Sequence, residues 1–319
     1  MTRPQPWLFG VLPLAAALAG AAPAAAAPPL LPPARMQQGG TYHEPPGAVD
    51  PIYLPQGPQS GPGDGAEASG QRLELRLNLR APLRGKDADG VGTQGGRPRS
   101  PTLHLDLRYL PQADAGWFAQ LSFASYLRSG AQQSWDPDFI YVVGYEAPGP
   151  EGPGLSYSNY NGNRLRPQGA ERRTDFRQGQ WTLGYKFELP PAWEPALLVG
   201  DGDAASCRGA LHHNARYVSN ATGAAERHKG ALSLGCRYMR PGGWFAQLTL
   251  FAYPRGGQQQ PWDPDYSFSF GLQDTQPGSL SLHYENYSGN RYPGRGAGAG
   301  AGSGGLREGA VVLSWLSKW

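Results

Sequence analysis

The sequence predicts an all-β fold, an antiparallel transmembrane β-barrel of about twelve strands built from two tandem six-stranded repeats. Three observations lead to this prediction: segments in which apolar and polar residues alternate, a long internal repeat, and a short apolar N-terminal segment typical of exported proteins. The chain has 319 residues, a formal net charge of +3 and a mean hydropathy of -0.50. A membrane barrel tolerates that polarity, because only every second residue of a strand faces lipid.

Alternation is clearest in residues 73–80 (LELRLNLR), where the leucines share one face of an extended strand and polar side chains share the other. Residues 103–109 (LHLDLRY) and 266–272 (YSFSFGL) follow the same rule. Extended over the chain, the pattern predicts strands at about 72–84, 101–110, 116–127, 138–146, 154–163, 179–190, 207–218, 229–239, 243–254, 265–273, 279–290 and 309–319. Twelve is an even number, as single-chain bacterial barrels require.

The internal repeat begins at Gly116, where GWFAQLSFASYLRSGAQQSWDPDFIYVVGYE aligns without gaps with GWFAQLTLFAYPRGGQQQPWDPDYSFSFGLQ from Gly243. The same offset places YSNYNGNR at 157–164 against YENYSGNR at 284–291. The likeness continues on both sides, as LHLDLRY resembles LSLGCRY and RQGQWTLGYKF resembles REGAVVLSWLSKW. We therefore expect two halves with the same succession of strands and loops.

The predicted organisation has five segments. Residues 1–26 form a signal peptide, with Arg3 before an apolar stretch and small residues at the cleavage site. Residues 27–70 are rich in Pro and Gly, which predicts a disordered segment, or alternatively a plug inside the barrel. The first barrel half covers 71–190, a connector 191–206 and the second half 207–319.

Connection lengths support the topology, since short turns and longer loops alternate as expected for periplasmic and outer ends. The connector is the exception, because a short turn is expected there. The alternative is a secreted periplasmic β-protein that buries its apolar faces in its own core.

The last predicted strand places Val311, Leu313, Trp315 and Trp319 on one face. It resembles the C-terminal strand of Gram-negative outer-membrane β-barrel proteins, which is apolar at alternate positions and ends in an aromatic residue. Ser317 departs from that pattern, and the resemblance is to the class and not to one family. It implies a location in the cell outer membrane after export, contact with outer-membrane lipid and lipopolysaccharide, and folding by the barrel assembly machinery. Trp315 and Trp319 would form the assembly signal.

The polar faces are expected to line the lumen with charges of both signs: Glu74, Arg76, Arg80, His104, Asp106, Arg108, Lys186, Glu188, Arg216, Arg237, His283 and Glu285. Such a lumen predicts a narrow channel or transport pore for small or linear polar solutes, with anionic glycans as one class. The alternative is a closed barrel with a structural or surface-binding role. The near-neutral net charge does not favour nucleic-acid binding.

Two motifs occur twice and are expected at the outer rim. WDPD at 135–138 and 262–265 precedes a strand, and a rigid loop explains it because Pro fixes the backbone and Asp accepts hydrogen bonds from local amides. NYxGNR ends at Arg164 and Arg291, where a turn and pairing with lipopolysaccharide phosphates are the simpler explanation. The functional alternative is a pair of equivalent binding clusters, formed by Asp136, Asp138 and Arg164 and by Asp263, Asp265 and Arg291.

A lipid-modifying enzyme is the third hypothesis. The segment HYENYSGNR at 283–291 superficially resembles the motif of outer-membrane phospholipase A, another twelve-stranded barrel in which a His lies two residues before a Ser. Here His283 and Ser288 are five positions apart and fall on opposite faces of a regular strand, and Ser156 replaces the histidine in the first copy. We therefore assign no catalytic residue.

No cofactor or metal is expected, because His212 and His213 have no Cys or Glu at a metal-ligand spacing. The two cysteines, Cys207 and Cys236, lie on neighbouring predicted strands. A disulfide and two free thiols are both compatible with the sequence.

Overall fold

The fold is that of a computed structural model of the chain. The structure describes residues 72–83, 101–112, 115–128, 137–159, 163–165, 176–189, 203–219, 225–260, 263–274, 276–286, 290–295 and 305–319. The predicted signal peptide, the Pro/Gly-rich segment and Asp136 lie outside these residues, and so does Ser288. Most of the longer predicted loops lie outside them as well.

Twelve antiparallel strands close into a single barrel, each paired with its neighbours along the chain, and the first is paired with the last. They are β1 (Arg72–Pro82), β2 (Thr102–Leu110), β3 (Trp117–Tyr126), β4 (Phe139–Glu146), β5 (Gly152–Asn159), β6 (Gln180–Glu188), β7 (Ala204–Val218), β8 (Ala225–Met239), β9 (Trp244–Ala252), β10 (Tyr266–Leu272), β11 (Leu280–Asn286) and β12 (Ala310–Lys318). The predicted all-β, twelve-stranded antiparallel barrel is confirmed. Among the residues that the structure describes, no helix is long and apolar enough to cross a membrane.

Both ends of the barrel wall meet at one rim. The backbone of Leu73 and that of Trp319 exchange two hydrogen bonds of 2.9 Å, which closes the seam between β1 and β12. The short turns after β2, β4, β8 and β10 lie at this same rim, which we call the turn rim. The opposite rim, which carries the longer connections, is called the loop rim.

Strand bounds agree with the sequence prediction except where polar residues obscure the alternation. β5 and β11 end at Asn159 and Asn286, earlier than expected, and Asn163 and Asn290 lie outside the strands. β7 begins at Ala204, inside the predicted connector, and β8 begins at Ala225. The charged start of β8 (AERHK) carries no apolar alternation, so its extended conformation depends on pairing with β7.

β7 and β8 are longer than the other strands and extend past the loop rim. Beyond Asn214, β7 pairs only with β8, because its pairing with β6 ends there. Lower in the same pair, Cys207 and Cys236 stand directly opposite each other and form a disulfide. The structure thus selects the disulfide from the two possibilities left open by the sequence. By strand alternation both cysteines lie on the outward face.

The outward face of the barrel is a belt of leucine and aromatic side chains. Many remain well exposed, among them Leu183 at 54%, Trp244 at 60% and Trp319 at 64%. Trp315 also lies on this face and is 37% exposed. A contiguous apolar surface of this extent is typical of a protein that contacts lipid or a partner. Other members of the belt are Leu73, Leu77, Leu79, Trp117, Leu155, Trp181, Leu232, Leu248, Leu280, Leu282 and Leu313.

Equivalent contacts occur in both halves of the chain. The Tyr157 hydroxyl donates to the Phe176 carbonyl oxygen at 2.7 Å, and the Tyr284 hydroxyl donates to the Leu306 carbonyl oxygen at 2.9 Å. In each half a glycine makes room for the phenol, since an added Cβ at Gly179 or Gly309 would lie 2.1 Å from the tyrosine oxygen. These recurrences support the prediction of two tandem six-stranded repeats, which stays a prediction.

Candidate functional site

The inner face of the barrel carries the charged residues that the sequence predicted for the lumen, except Arg216, which lies on β7 beyond Asn214 and so outside the closed part of the wall. Glu74, Arg76, Arg80, His104, Asp106, Arg108, His283 and Glu285 all occupy inward positions of β1, β2 and β11. Arg80 Nε lies 2.5 Å from Glu285 Oε1, and this ion pair reaches across β12. The ion pair thereby connects β1 and β11, which do not pair with each other, along the inner face of the wall.

Neighbouring inward side chains form a connected polar surface. Asn78 donates to Asp106 at 2.6 Å, and Arg108 Nη1 lies 3.8 Å from Glu74 Oε2. The His283 ring lies 3.6 Å from the Glu285 carboxylate and is largely buried. These polar and charged groups are therefore paired with one another along the wall.

Arginine stacks on phenylalanine at corresponding places in both halves. The Arg108 guanidinium lies 4.9 Å from the centre of the Phe118 ring, and that of Arg237 lies 4.3 Å from the centre of the Phe245 ring. Such contacts stabilise a cation beside an apolar surface. Arg237 also donates to the Gln273 side-chain oxygen. The lumen thus presents basic groups that are held in fixed positions.

Glu146 and Arg208 are inward residues that the sequence pattern does not reveal. Arg208 Nη1 and Lys186 Nζ lie 3.7 Å and 3.4 Å from Glu146 Oε1. Glu146 was missed because it ends its strand, and Arg208 because the small residues of CRGA hide the alternation around it. Their contact follows from the register of the strand pairs between β4 and β7, which the sequence pattern does not supply.

Basic residues outnumber acidic residues on the inward face of the described strands, even without the part of β7 and β8 that extends past the loop rim. The basic side chains are Arg72, Arg76, Arg80, Arg108, Lys186, Arg208, Arg237 and Lys318. The acidic side chains are Glu74, Asp106, Glu146, Glu188 and Glu285. The basic groups lie on two arcs, β12–β2 and β6–β8, which are opposite each other in a ring of twelve strands.

At the loop rim, Asp138 and Arg164 come together as the motifs suggested. Arg164 Nη1 donates to Asp138 Oδ1 at 3.0 Å, and the Leu165 amide donates to Asp138 Oδ2 at 3.0 Å. The Asp138 amide in turn donates to the Asn163 carbonyl oxygen at 2.7 Å. These contacts staple the segment after β5 to the start of β4.

The second rim cluster uses the equivalent residues. The Tyr292 amide donates to Asp265 Oδ2 at 3.0 Å, and the Asp265 amide donates to the Asn290 carbonyl oxygen at 2.7 Å. Arg291 Nη1 lies 3.7 Å from Asp265 Oδ1, and Arg295 Nη1 lies 2.9 Å from the same atom. Burial lowers the pKa of the Arg291 guanidinium, and the Asp265 carboxylate opposes that shift. Asp265 is fully buried.

Asp263 has a different role from Asp265. Its carboxylate forms an ion pair with Lys229 and accepts a hydrogen bond from the Gln260 amide at 2.7 Å. The loop before β10 is thereby tied to the long β7–β8 hairpin. All three described aspartates at the loop rim are engaged by backbone amides or basic side chains, which favours the structural interpretation of WDPD.

A metal centre is not formed by the residues described here, since no group of three or more His, Cys, Asp or Glu side chains is close enough together. His283 faces the lumen and not the apolar exterior, so it lies away from the surface at which a membrane lipid would approach. The position of Ser288 lies outside the described residues.

No protein-family model matches the chain, and no curated protein sequence matches it. Among solved structures, an outer membrane channel from Pseudomonas putida F1 is similar, with 13% identity, a TM-score of 0.38 and coverage of 81% of this chain and 99% of that chain. The NanC porin is similar with 11% identity, a TM-score of 0.40 and coverage of 77% of this chain and 98% of that chain. Salmonella typhi OmpF in complex with daunomycin is similar with 9% identity, a TM-score of 0.33 and coverage of 78% of this chain and 97% of that chain. At these TM-scores, the assignment of the fold depends on the strand pairing of this chain itself.

Proposed function

We propose that the chain is a Gram-negative outer-membrane β-barrel whose lumen is a narrow channel for small or linear polar solutes, with a preference for anions. The observation that carries the proposal is the division of the wall into an apolar outer face and a charged inner face with an excess of basic groups. A water-soluble barrel would place these two surfaces the other way round.

The membrane location is supported by the outer belt. Exposed leucines cover the middle of the strands, and Trp117, Trp181, Trp244 and Trp315 accompany them. Aromatic residues are enriched where a barrel meets the lipid headgroups. We propose that the signal peptide directs export, that the barrel assembly machinery inserts the chain, and that Trp315 and Trp319 belong to the assembly signal.

Lipopolysaccharide is the proposed partner at the loop rim. The side chains of Arg164 and Arg291 are largely buried beside carboxylates at this rim, whereas that of Arg295 is 44% exposed next to Asp265. The Arg295 guanidinium is therefore the group best placed to bind a phosphate through parallel hydrogen bonds. The six rim residues Asp136, Asp138, Arg164, Asp263, Asp265 and Arg291 stay in the proposal as the residues that shape the rim at which lipopolysaccharide would bind.

Anion preference follows from the two basic arcs. An anion that passes between β12–β2 and β6–β8 has an excess of basic groups on both sides, and confined charges act more strongly than charges in bulk water. Linear anionic glycans are the solute class that fits, because they combine carboxylates with a narrow cross-section.

A closed barrel is the second candidate, and a specific observation favours it. Leu110, Phe118 and Val142 form a buried apolar cluster on the inner face of β2–β4, and inward ionic groups such as Arg108 and Glu146 are also buried. A lumen filled to this degree could serve a structural or surface-binding role without transport.

Two measurements test the proposed function. Carbonate washing of cell membranes should leave the chain in the outer-membrane fraction, whereas release by osmotic shock would place it in the periplasm. Purified protein in liposomes should then allow swelling with small charged saccharides. Swelling indistinguishable from that of empty liposomes would favour the closed barrel.

A further inference from the structure

A side-chain bridge crosses the inner wall between β7 and β4. Arg208 lies on β7 and Glu146 at the end of β4, and their charged groups approach to 3.7 Å. β5 and β6 lie between the two strands, so the bridge passes over both. Arg208 and Glu146 are almost completely buried, and the guanidinium therefore follows the wall and does not stand out into the bore.

Two glycines form the floor beneath this bridge. Gly154 of β5 and Gly184 of β6 are partners in the strand register. A Cβ added at Gly184 would lie 2.6 Å from Arg208 Nε, and one added at Gly154 would lie 3.1 Å from Arg208 Nη2. Neither glycine has a positive φ, so the space for Arg208, and not backbone freedom, explains both residues. We call this pair the glycine slot.

Glu146 also anchors a second cation. Lys186 Nζ lies 3.4 Å from Glu146 Oε1 and donates to the carbonyl oxygens of Ala147 and Gly149 at 3.0 Å and 2.9 Å. Those carbonyls belong to the turn that joins β4 to β5 at the turn rim. One carboxylate therefore holds an arginine and a lysine against the same part of the wall.

We propose that Glu146 and the glycine slot set both the bore and the anion selectivity of the channel, by holding Arg208 flat along the wall. The proposal rests on the channel function proposed above and names Glu146 as a residue that determines specificity through Arg208. Inward side chains of a barrel project toward its axis. An Arg208 without its slot would narrow the bore, and an Arg208 without Glu146 would present its charge to a passing carboxylate or phosphate.

The first test changes the space and keeps every charge. Gly184→Ala should displace Arg208 and lower the single-channel conductance to about half or less, because a narrow bore has little area to lose. Gly154→Ala should have a smaller effect, since its added Cβ makes the looser contact. Gly209→Ala is the matched control on β7, because a Cβ there meets nothing within 4 Å. Equal conductance of Gly184→Ala and Gly209→Ala would overturn the proposal.

The second test changes the charge and keeps the shape. Glu146→Gln should shift the reversal potential in a potassium chloride gradient toward the chloride equilibrium potential. It should also strengthen block by inorganic phosphate. A reversal potential equal to that of the wild type, from protein with the normal heat-dependent gel shift, would contradict the role of Glu146.

Failure of the channel function can be separated from failure of the slot. If the wild type conducts no current, the proposed function fails, and thermal unfolding in detergent then tests the slot alone. Gly184→Ala should unfold at a lower temperature than Gly209→Ala, with Gly154→Ala between them. Identical unfolding temperatures for the three variants would reject the slot.

Discussion

Asp138 and Arg164 form a hydrogen-bonded ion pair at the loop rim, with 3.0 Å between Oδ1 of the carboxylate and Nη1 of the guanidinium. The other carboxylate oxygen accepts the Leu165 amide, so one side chain joins the start of β4 to the segment that follows β5. The same arrangement recurs around Asp265. The rim carboxylates therefore have a structural role, because each connects two neighbouring segments of the wall.

Asp138→Asn should lower the free energy of unfolding by about 1–3 kcal/mol, because it removes a charge-assisted hydrogen bond from a part-buried arginine. Heat-dependent gel mobility or thermal unfolding in detergent measures the change. Glu151→Gln, at an exposed position in the turn between β4 and β5, is the control. Equal stability of both variants would show that the contacts of the Asp138 carboxylate contribute nothing to the free energy of unfolding.

Asp265→Asn should destabilise the barrel more than Asp138→Asn does. Asp265 is fully buried and contacts Gln259, Arg291 and Arg295, so its loss leaves partly buried cations without their carboxylate. The comparison uses the same unfolding assay on the two aspartate variants. The reverse order of stability would contradict the assignment of Asp265 as the central residue of its cluster.

How far the sequence predicts the molecule depends on the kind of information needed. Leu73, Leu75 and Leu77 alternate with polar residues, so local periodicity is enough to define strands and their two faces. The pairing of Asp138 with Arg164 was also accessible, because the repeat placed both motifs at one rim. Arg208 and Glu146 were not, since their contact depends on register across four strands and on two glycines that have no side chain to reveal a pattern.

Arg80 and Glu285 should behave as a coupled pair. Replacing one partner leaves a charge in the wall, and Arg80→Met alone should cost about 3 kcal/mol or more. The double variant Arg80→Met with Glu285→Gln should cost less than the sum of the two single changes. A double-mutant cycle measured by thermal unfolding tests this, and additive effects would mean that the 2.5 Å contact contributes no coupling energy.

Deletion of Trp319 should reduce the amount of protein inserted in the outer membrane without reducing export across the inner membrane. The Trp319 backbone closes the seam with Leu73, and its side chain extends the outer belt. Lys318→Ala, which keeps the terminal tryptophan, is the matched control. Normal insertion of the truncated chain would remove Trp319 from the assembly signal.

The reversal potential of the wild-type protein, measured in a planar bilayer across a potassium chloride gradient, tests the central claim most directly. The excess of basic groups on the inner face predicts a small conductance and a reversal potential displaced toward the chloride equilibrium potential. A displacement toward the potassium equilibrium potential would contradict the proposed anion preference. Properly folded protein that carries no current at all would contradict the channel itself and leave the closed barrel.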